Sequence, residues 1–333
     1  MKLQLSLAVA SNPRTWPILD GTVKPDGIDL IPSVVPVSEM FWRQLKFGDY
    51  DVSEMSFSSL MMARAGGNED WVGLPVFTTR RFFHTGILVR RGSGIETPAD
   101  LKGKRVGVPE YQQTAALWTR GILQHEFGVA PKDMEFWMER VPSHSHAGAV
   151  NFQAPPGVTI HQIPPEKSNA SMILAGELDA IIYYILARNS STLIDRSHVD
   201  LAKHPDIKFL FPDPAAEAVR YFRKTNIFPI NHGMVVRREL AEKHPWILLN
   251  LLKAFNAAND IADQQRMEHV AYHANAGLIS TEAAKALREP VLRHGIKANR
   301  HILETAASYS LEQGLTPRLM KLEEVFAANT MGE

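Results

Sequence analysis

Thr97-Pro98-Ala99-Asp100-Leu101-Lys102-Gly103-Lys104-Arg105-Val106-Gly107-Val108-Pro109-Glu110-Tyr111-Gln112-Gln113-Thr114 is the stretch on which the reading of this chain turns. Thr97 is placed to cap a helical turn, Pro98 suits its first position, and Asp100 can complete a capping box before Gly103 ends it. Lys104 to Val108 then reads as a short buried strand that Pro109 terminates. A helix is expected from about Tyr111, with Ala115, Trp118, Ile122 and Leu123 at helical spacing and Gly128 as its stop. A strand, a polar turn and a helix start aim unpaired N–H groups and the hydroxyls of Tyr111 and Thr114 at an anion. No Gly-rich phosphate signature is present, so a carboxylate is expected rather than a nucleotide. The alternative is an ordinary β-α unit with no ligand.

The 333 residues suffice for one large domain or two moderate ones. Lysine plus arginine equals aspartate plus glutamate, 36 each, which argues against nucleic acid or an anionic membrane as partner. There is no cysteine, so disulfides, thiolate metal sites and a cysteine nucleophile are excluded. Leu3, Leu5, Leu7 and Val9 alternate as in a strand, and the short apolar start is broken by Gln4 and Ser6, unlike a signal peptide. No later run is apolar enough to span a bilayer. A cytoplasmic protein is the expectation.

Outward from the opening stretch, the chain reads as repeated β-α units. Ser11 to Pro17 is a Pro-rich turn in which Arg14 can face a cleft. Gly27 to Val35 reads as a strand. Ser38 caps a helix that Gly48 stops, and Asp49 to Ser56 leads into the next strand. Leu74 to Phe77 is a short strand. Phe82 to Arg90 is expected as a longer one, with Arg80 and His84 on one face. A helix from about Asn169 stops at Gly176, and Glu177 to Tyr184 enters a strand. Gly48-Asp49-Tyr50-Asp51 and Gly176-Glu177-Leu178-Asp179 are thus two helix stops, each with an aspartate three residues on, as two lobes built alike would give. Val141 to Lys167 is rich in Pro, Ser, His and Gly and reads as a long mobile loop or a hairpin. Beyond a strand at Asn226 to Val236 the chain is mostly helical.

Together these segments resemble the type 2 periplasmic-binding-protein fold, an α/β architecture of two lobes flanking a cleft, here with a helical C-terminal portion. Because the Val-rich runs Ile87 to Val89 and Met234 to Val236 begin just after His84 and His232, a discontinuous first lobe, 1–88 and 230–333, a second lobe, 89–229, and hinge strands near 84–91 and 228–236 are expected. Within that fold the chain is similar to the 4,5-dihydroxyphthalate decarboxylases from about Leu3 to Ala262. The phrases that carry this are Ser53-Glu54-Met55-Ser56, Arg80-Arg81-Phe82-Phe83-His84, Pro109 to Thr114, and Phe228-Pro229-Ile230-Asn231-His232. The family commonly has Arg-x-Phe-Arg-His in the second phrase, where this chain has Phe83. The loop Ser143 to Ala147 also departs from the family.

The resemblance implies an enzyme that releases CO2 from a hydroxylated aromatic acid, with no cofactor and a small aromatic carboxylate as partner. A homo-oligomer is compatible with it. A ring hydroxyl supplies the electron sink once the ring carbon is protonated. The protein then needs a general acid titrating near neutrality and cations for the carboxylates. His84 and His232 are the candidate acids, with Glu54 as proton relay. A pair of hydrogen-bonded structural histidines is the alternative. Arg14 and Arg80 are candidate carboxylate clamps. Ser56, Thr85, Tyr111, Thr114, Tyr183 and Asn231 are candidate binding groups. His84, His232 and Glu54 can also be drawn as two imidazoles and one carboxylate around a metal, but no local metal motif exists and none is expected. His144 and His146 read as a solvated pair. The rival function is a solute-binding protein that delivers a small carboxylate to a transporter.

Overall fold

The alternation at the start of the chain produces β1 (Leu3–Val9), which buries Leu5, Leu7 and Val9. The computed structural model describes residues 2–182, 194–289 and 292–333. Around β1 lies a five-stranded sheet in the order β2-β1-β3-β11-β4, with β2 at Ile28–Val34, β3 at Val52–Ser56, β4 at Trp71–Arg80 and β11 at Ile230–Arg237. β1 pairs in parallel with β2 and β3, while β11 runs antiparallel to both β3 and β4.

The second sheet has the order β10-β5-β9-β6-β7-β8. Its strands are β5 (Ile87–Arg90), β6 (Arg105–Val108), β7 (Glu135–Met138), β8 (Thr159–Gln162), β9 (Ala180–Ile182) and β10 (Ile207–Phe209). β6 is parallel to β7 and β9, and β5 is antiparallel to β9 and β10. Each sheet therefore has a parallel centre and one antiparallel strand on which the chain arrives from the other sheet. The two glycine stops have matching roles. Gly48 (φ +63°) and Gly176 (φ +74°) both adopt the left-handed conformation that ends a helix. Asp51 then accepts the Ser6 N–H of β1 at 2.9 Å, and Asp179 accepts the Arg105 N–H of β6 at 3.0 Å. In both sheets the aspartate ties the strand it leads into to that strand's parallel neighbour, β3 to β1 and β9 to β6.

Three local expectations are corrected. Phe82 to Arg90 is not one strand: β4 ends at Arg80, a 3₁₀ turn covers Phe83–Gly86, and β5 begins at Ile87. Phe83, His84, Thr85 and Gly86 are consecutive buried residues, which a strand with two faces cannot deliver to one core but a tight turn can. The helix of the opening stretch starts at Thr114, not Tyr111. Val141 to Lys167 is neither a structureless loop nor a hairpin: it carries a turn at Pro142–His144, a short helix at His146–Ala149, and β8.

The C-terminal helices serve both sheets. The Trp246–Asn275 helix buries Ile247, Leu248, Leu251, Leu252 and Phe255 in the core of the first sheet. The Arg300–Glu312 helix packs on the Thr114–Phe127 helix of the second, with Tyr309 edge-on to Trp118 at 5.6 Å. That approach needs Gly121, where an added Cβ would lie 2.1 Å from the Tyr309 ring. Among the described residues no helix is long and apolar enough to cross a membrane.

Candidate functional site

Where the two sheets meet, β3 and β11 bring Ser56, Asn231 and His232 against the start of the Thr114–Phe127 helix. Helix Val37–Phe47 adds Ser38 and Phe41, and the second sheet adds Gln113, Arg140 and His146. Together they line a cavity of ≈ 30 Å³, room for a water or two by the usual measure. The sheets are in contact here: Ser56 Oγ lies 2.8 Å from Thr114 Oγ1, and Ser58 donates its N–H to Thr114 Oγ1 at 2.9 Å and its hydroxyl to the Gln112 carbonyl at 2.6 Å. An aromatic diacid can reach these groups only if this seam opens.

His232 is aimed by an irregularity in its strand. The register of β11 on β4 shifts on both sides of it, a bulged arrangement of the kind that re-aims a side chain. Its Nδ1 lies 3.1 Å from Glu54 Oε2 and its Nε2 2.7 Å from Asn231 Nδ2. A carboxylate accepts only, so Nδ1 carries the proton and Nε2 accepts from the Asn231 amide. Glu54 is fully buried on the central strand β3, with Oε1 accepting the Ala10 N–H at 3.2 Å. A buried carboxylate that orients an imidazole and supports its charge leaves the far nitrogen, here engaged by the Asn231 amide, as the one that can take and give a proton. The edge of Phe41 packs on this ring at 4.7 Å between centroids.

Across Phe41 stands His146, 5.8 Å from the Phe41 centroid and 1% exposed. It is not part of a solvated pair. Its Nε2 donates to the Ser38 carbonyl at 3.3 Å, its backbone N–H to Glu110 Oε1 at 2.9 Å, and its Nδ1 faces Glu110 Oε2 at 3.4 Å. Glu110 also takes Gln112 Nε2 at 2.9 Å and faces Arg140 Nη1 at 3.5 Å. Arg140 in turn forks onto Asp195 at 2.8 and 3.3 Å. Burial pushes His146 below the usual imidazole range, with Glu110 opposing and Arg140 adding to the shift. Its neighbour His144 remains at the surface, tilted over Trp42 at 5.1 Å.

The remaining candidates are placed elsewhere. His84 sits in its 3₁₀ turn with Nε2 3.0 Å from Glu217 Oε1 and its ring against Tyr221 and Phe211. Burial pushes it below the usual range, with Glu217 partly opposing. It does not share Arg80's face, and with Glu217 as its carboxylate it does not converge with Glu54 and His232. Among the described residues no cluster of three acidic or imidazole side chains is placed to hold a metal ion. Thr85 Oγ1 closes the same turn on the Phe82 carbonyl at 2.8 Å.

Arg14 is buried and caps the carbonyls of Phe77, Thr78 and Leu292. Arg80 spans the carbonyls of Phe228 and Arg293, at 3.4 and 2.8 Å, and Asn299 Oδ1 at 2.5 Å. Burial, reinforced by Arg14, holds Arg80 down at about 9. Both arginines tie the C-terminal segment to β4, and neither lines the cavity. Tyr111 is stacked beneath the Arg120 guanidinium, 3.6 Å from ring centroid to Cζ, with Phe136 and Phe152 on its other sides. Its ring is core. Tyr183 lies outside the described residues.

A 4,5-dihydroxyphthalate decarboxylase of Comamonas testosteroni is 33% identical over 328 residues, covering 98% of this chain and 96% of the relative. One of Pseudomonas putida is 34% identical over 222 residues, 67% of this chain and 82% of the relative. The family described as ABC transporter, phosphonate, periplasmic substrate-binding protein matches residues 27–154. The periplasmic aliphatic sulphonate binding protein of Escherichia coli superposes with a TM-score of 0.56 at 16% identity over the full length of both chains. The fold is that of the periplasmic binding proteins. By sequence the chain belongs to the 4,5-dihydroxyphthalate decarboxylase family, whose members are carboxy-lyases.

Proposed function

We propose that this member of the 4,5-dihydroxyphthalate decarboxylase family releases CO2 from a hydroxylated aromatic dicarboxylic acid, 4,5-dihydroxyphthalate or a close relative. The observation that carries the reading is the buried Glu54–His232 pair, aimed by a bulge into a cavity at the junction of the two sheets. In this substrate each carboxylate stands para to a hydroxyl. Protonation of the carboxylate-bearing carbon is therefore stabilised by the hydroxyl oxygen across the ring. The C–C bond then breaks, its electron pair restores the aromatic ring, and CO2 departs. A hydrogen replaces one carboxylate, and the second carboxylate and both hydroxyls remain.

His232 is the acid in this scheme. With Nδ1–H held by Glu54, a second proton on Nε2 makes an imidazolium whose charge the buried carboxylate supports, and Nε2–H is the bond that delivers to the ring. Asn231 follows by turning its amide, so that its oxygen accepts where its NH2 donated. Ser56, Thr114 and Gln113 supply polar contacts for ring hydroxyls. The seam between Ser56, Ser58 and Thr114 closes over the substrate and excludes water, which strengthens each of these interactions.

The binding-protein fold and the match to a phosphonate-binding family favour a second reading, a solute-binding protein for a small carboxylate. The fold hosts both functions, so turnover decides. Purified protein incubated with excess 4,5-dihydroxyphthalate should evolve many equivalents of CO2. Stoichiometric binding with no CO2 would favour the transport component.

A further inference from the structure

Glu110 is fully buried beside the cavity, and its Oε2 faces Nδ1 of His146, a lining residue, at 3.4 Å. A substrate carboxylate brought to about 4 Å from another carboxylate near a protein surface meets a repulsion of about 4 kcal/mol. A proton held between the two removes that repulsion.

We propose that His146 is a substrate-binding residue that takes up a proton as the dicarboxylate enters and meets one of its carboxylates as an imidazolium. The inference rests on the reading of the site as a dicarboxylate site. Nδ1 of His146 is buried, makes no hydrogen bond, and faces Glu110 Oε2 at 3.4 Å. A proton there converts a contact between a lone pair and a carboxylate into a charge-assisted hydrogen bond. The opposite nitrogen holds the Ser38 carbonyl through a long bond of 3.3 Å, and Ser38 lines the same cavity. Opening of the seam frees that N–H for a substrate carboxylate. His146 then stands between two carboxylates, one of the protein and one of the substrate, with His232 across Phe41 left to deliver the proton.

Among the described residues, the groups that face His146 are few. Glu110, Arg140 and Asp195 approach from its own sheet, and the Glu54–His232 pair lies beyond Phe41. The helix Val37–Phe47 presents the Ser38 carbonyl and the Phe41 ring; its Glu39 and Arg43 pair with each other, and Arg43 also with Asp49. Burial lowers the free imidazole, so near neutral pH it is uncharged until ligand arrives.

Phthalate, which has both carboxylates but no ring hydroxyl to serve as electron sink, is the probe. Calorimetric titration in buffers of different ionisation enthalpy counts the protons taken up. Wild type should bind phthalate with proton uptake, and its affinity should fall about tenfold per pH unit above neutrality. His146→Gln should take up about one proton fewer. Glu110→Gln, which keeps the imidazole but removes the carboxylate that supports its charge, should do the same if His146→Gln fails to fold. A pH-independent wild-type affinity, absence of phthalate binding, or equal uptake in wild type and both variants would overturn the proposal. CO2 release from 4,5-dihydroxyphthalate is measured separately, so either reading can fail while the other stands.

Discussion

Acidification should loosen the first sheet through His294. The His294 ring is 8% exposed, and its Nδ1 accepts the Phe77 N–H of β4 at 3.0 Å, a role open only to the neutral form. Burial, with Arg14 and Arg80 nearby, pushes it from 6.5 down to about 3. The folded value lies below the unfolded one. The fold therefore favours the neutral ring, its contribution is complete above pH 6.5, and it is lost as pH falls from 6.5 towards 3. At pH 4.5, two units into that window, the loss is about 3 kcal/mol at 1.36 kcal/mol per unit. His84 and His146 are lowered too and add loss of the same sign. A difference measurement isolates His294. His294→Gln keeps an oxygen for the Phe77 N–H but cannot titrate. Urea unfolding of both proteins at pH 7 and 4.5 should show the stability advantage of wild type shrinking by about 3 kcal/mol. Parallel stability curves would refute the reasoning, and with it the view that Arg14, Arg80 and His294 form a structural clasp.

Two further outcomes follow from the same packing. Arg80→Lys should leave KM for the aromatic acid within a few-fold while costing about 1–3 kcal/mol in thermal or urea unfolding, because one ammonium cannot span the acceptors that two separate guanidinium nitrogens hold, Phe228 on one and Arg293 and Asn299 on the other; a large rise in KM would return Arg80 to the substrate. Gly121→Ala gains up to ~1 kcal/mol of helix propensity but drives a methyl into the Tyr309 ring. It should be destabilising by about 1–3 kcal/mol in urea unfolding, and a stabilised variant would mean that the Arg300–Glu312 helix is not seated as described.

Local chemistry made much of the fold legible. Thr97 and Asp100 do hydrogen-bond as a capping pair, Oδ2 to the Thr97 N–H at 2.8 Å, and Arg105–Val108 is the strand that follows. The two glycine stops with their aspartates marked equivalent corners of two sheets. What escaped was decided at long range. His84 fails to alternate because Phe83 to Gly86 turn inward together against residues more than a hundred positions away, Phe211, Glu217 and Tyr221. Arg14 and Arg80 looked like clamps because nothing local shows that carbonyls at Leu292 and Arg293 will claim them. His146 was hidden by the Pro, Ser and Gly around it, which read as solvated; its burial comes from docking on Ser38 and Glu110. One signal was available. Glu139 and Arg140 are consecutive charges directly after β7, Glu135–Met138, where sheets of this kind present groups to a ligand.

The account stands on which imidazole does the chemistry. The measurement is kcat for CO2 release from 4,5-dihydroxyphthalate, with wild type, His232→Gln and His84→Gln assayed side by side. General acid catalysis is worth ~10²–10⁴-fold, so His232→Gln should lose about that much. His84→Gln, whose ring sits on Glu217 away from the cavity, should retain kcat within a few-fold. Near-normal turnover by His232→Gln, with or without a collapse in His84→Gln, would contradict the assignment of the Glu54–His232 pair.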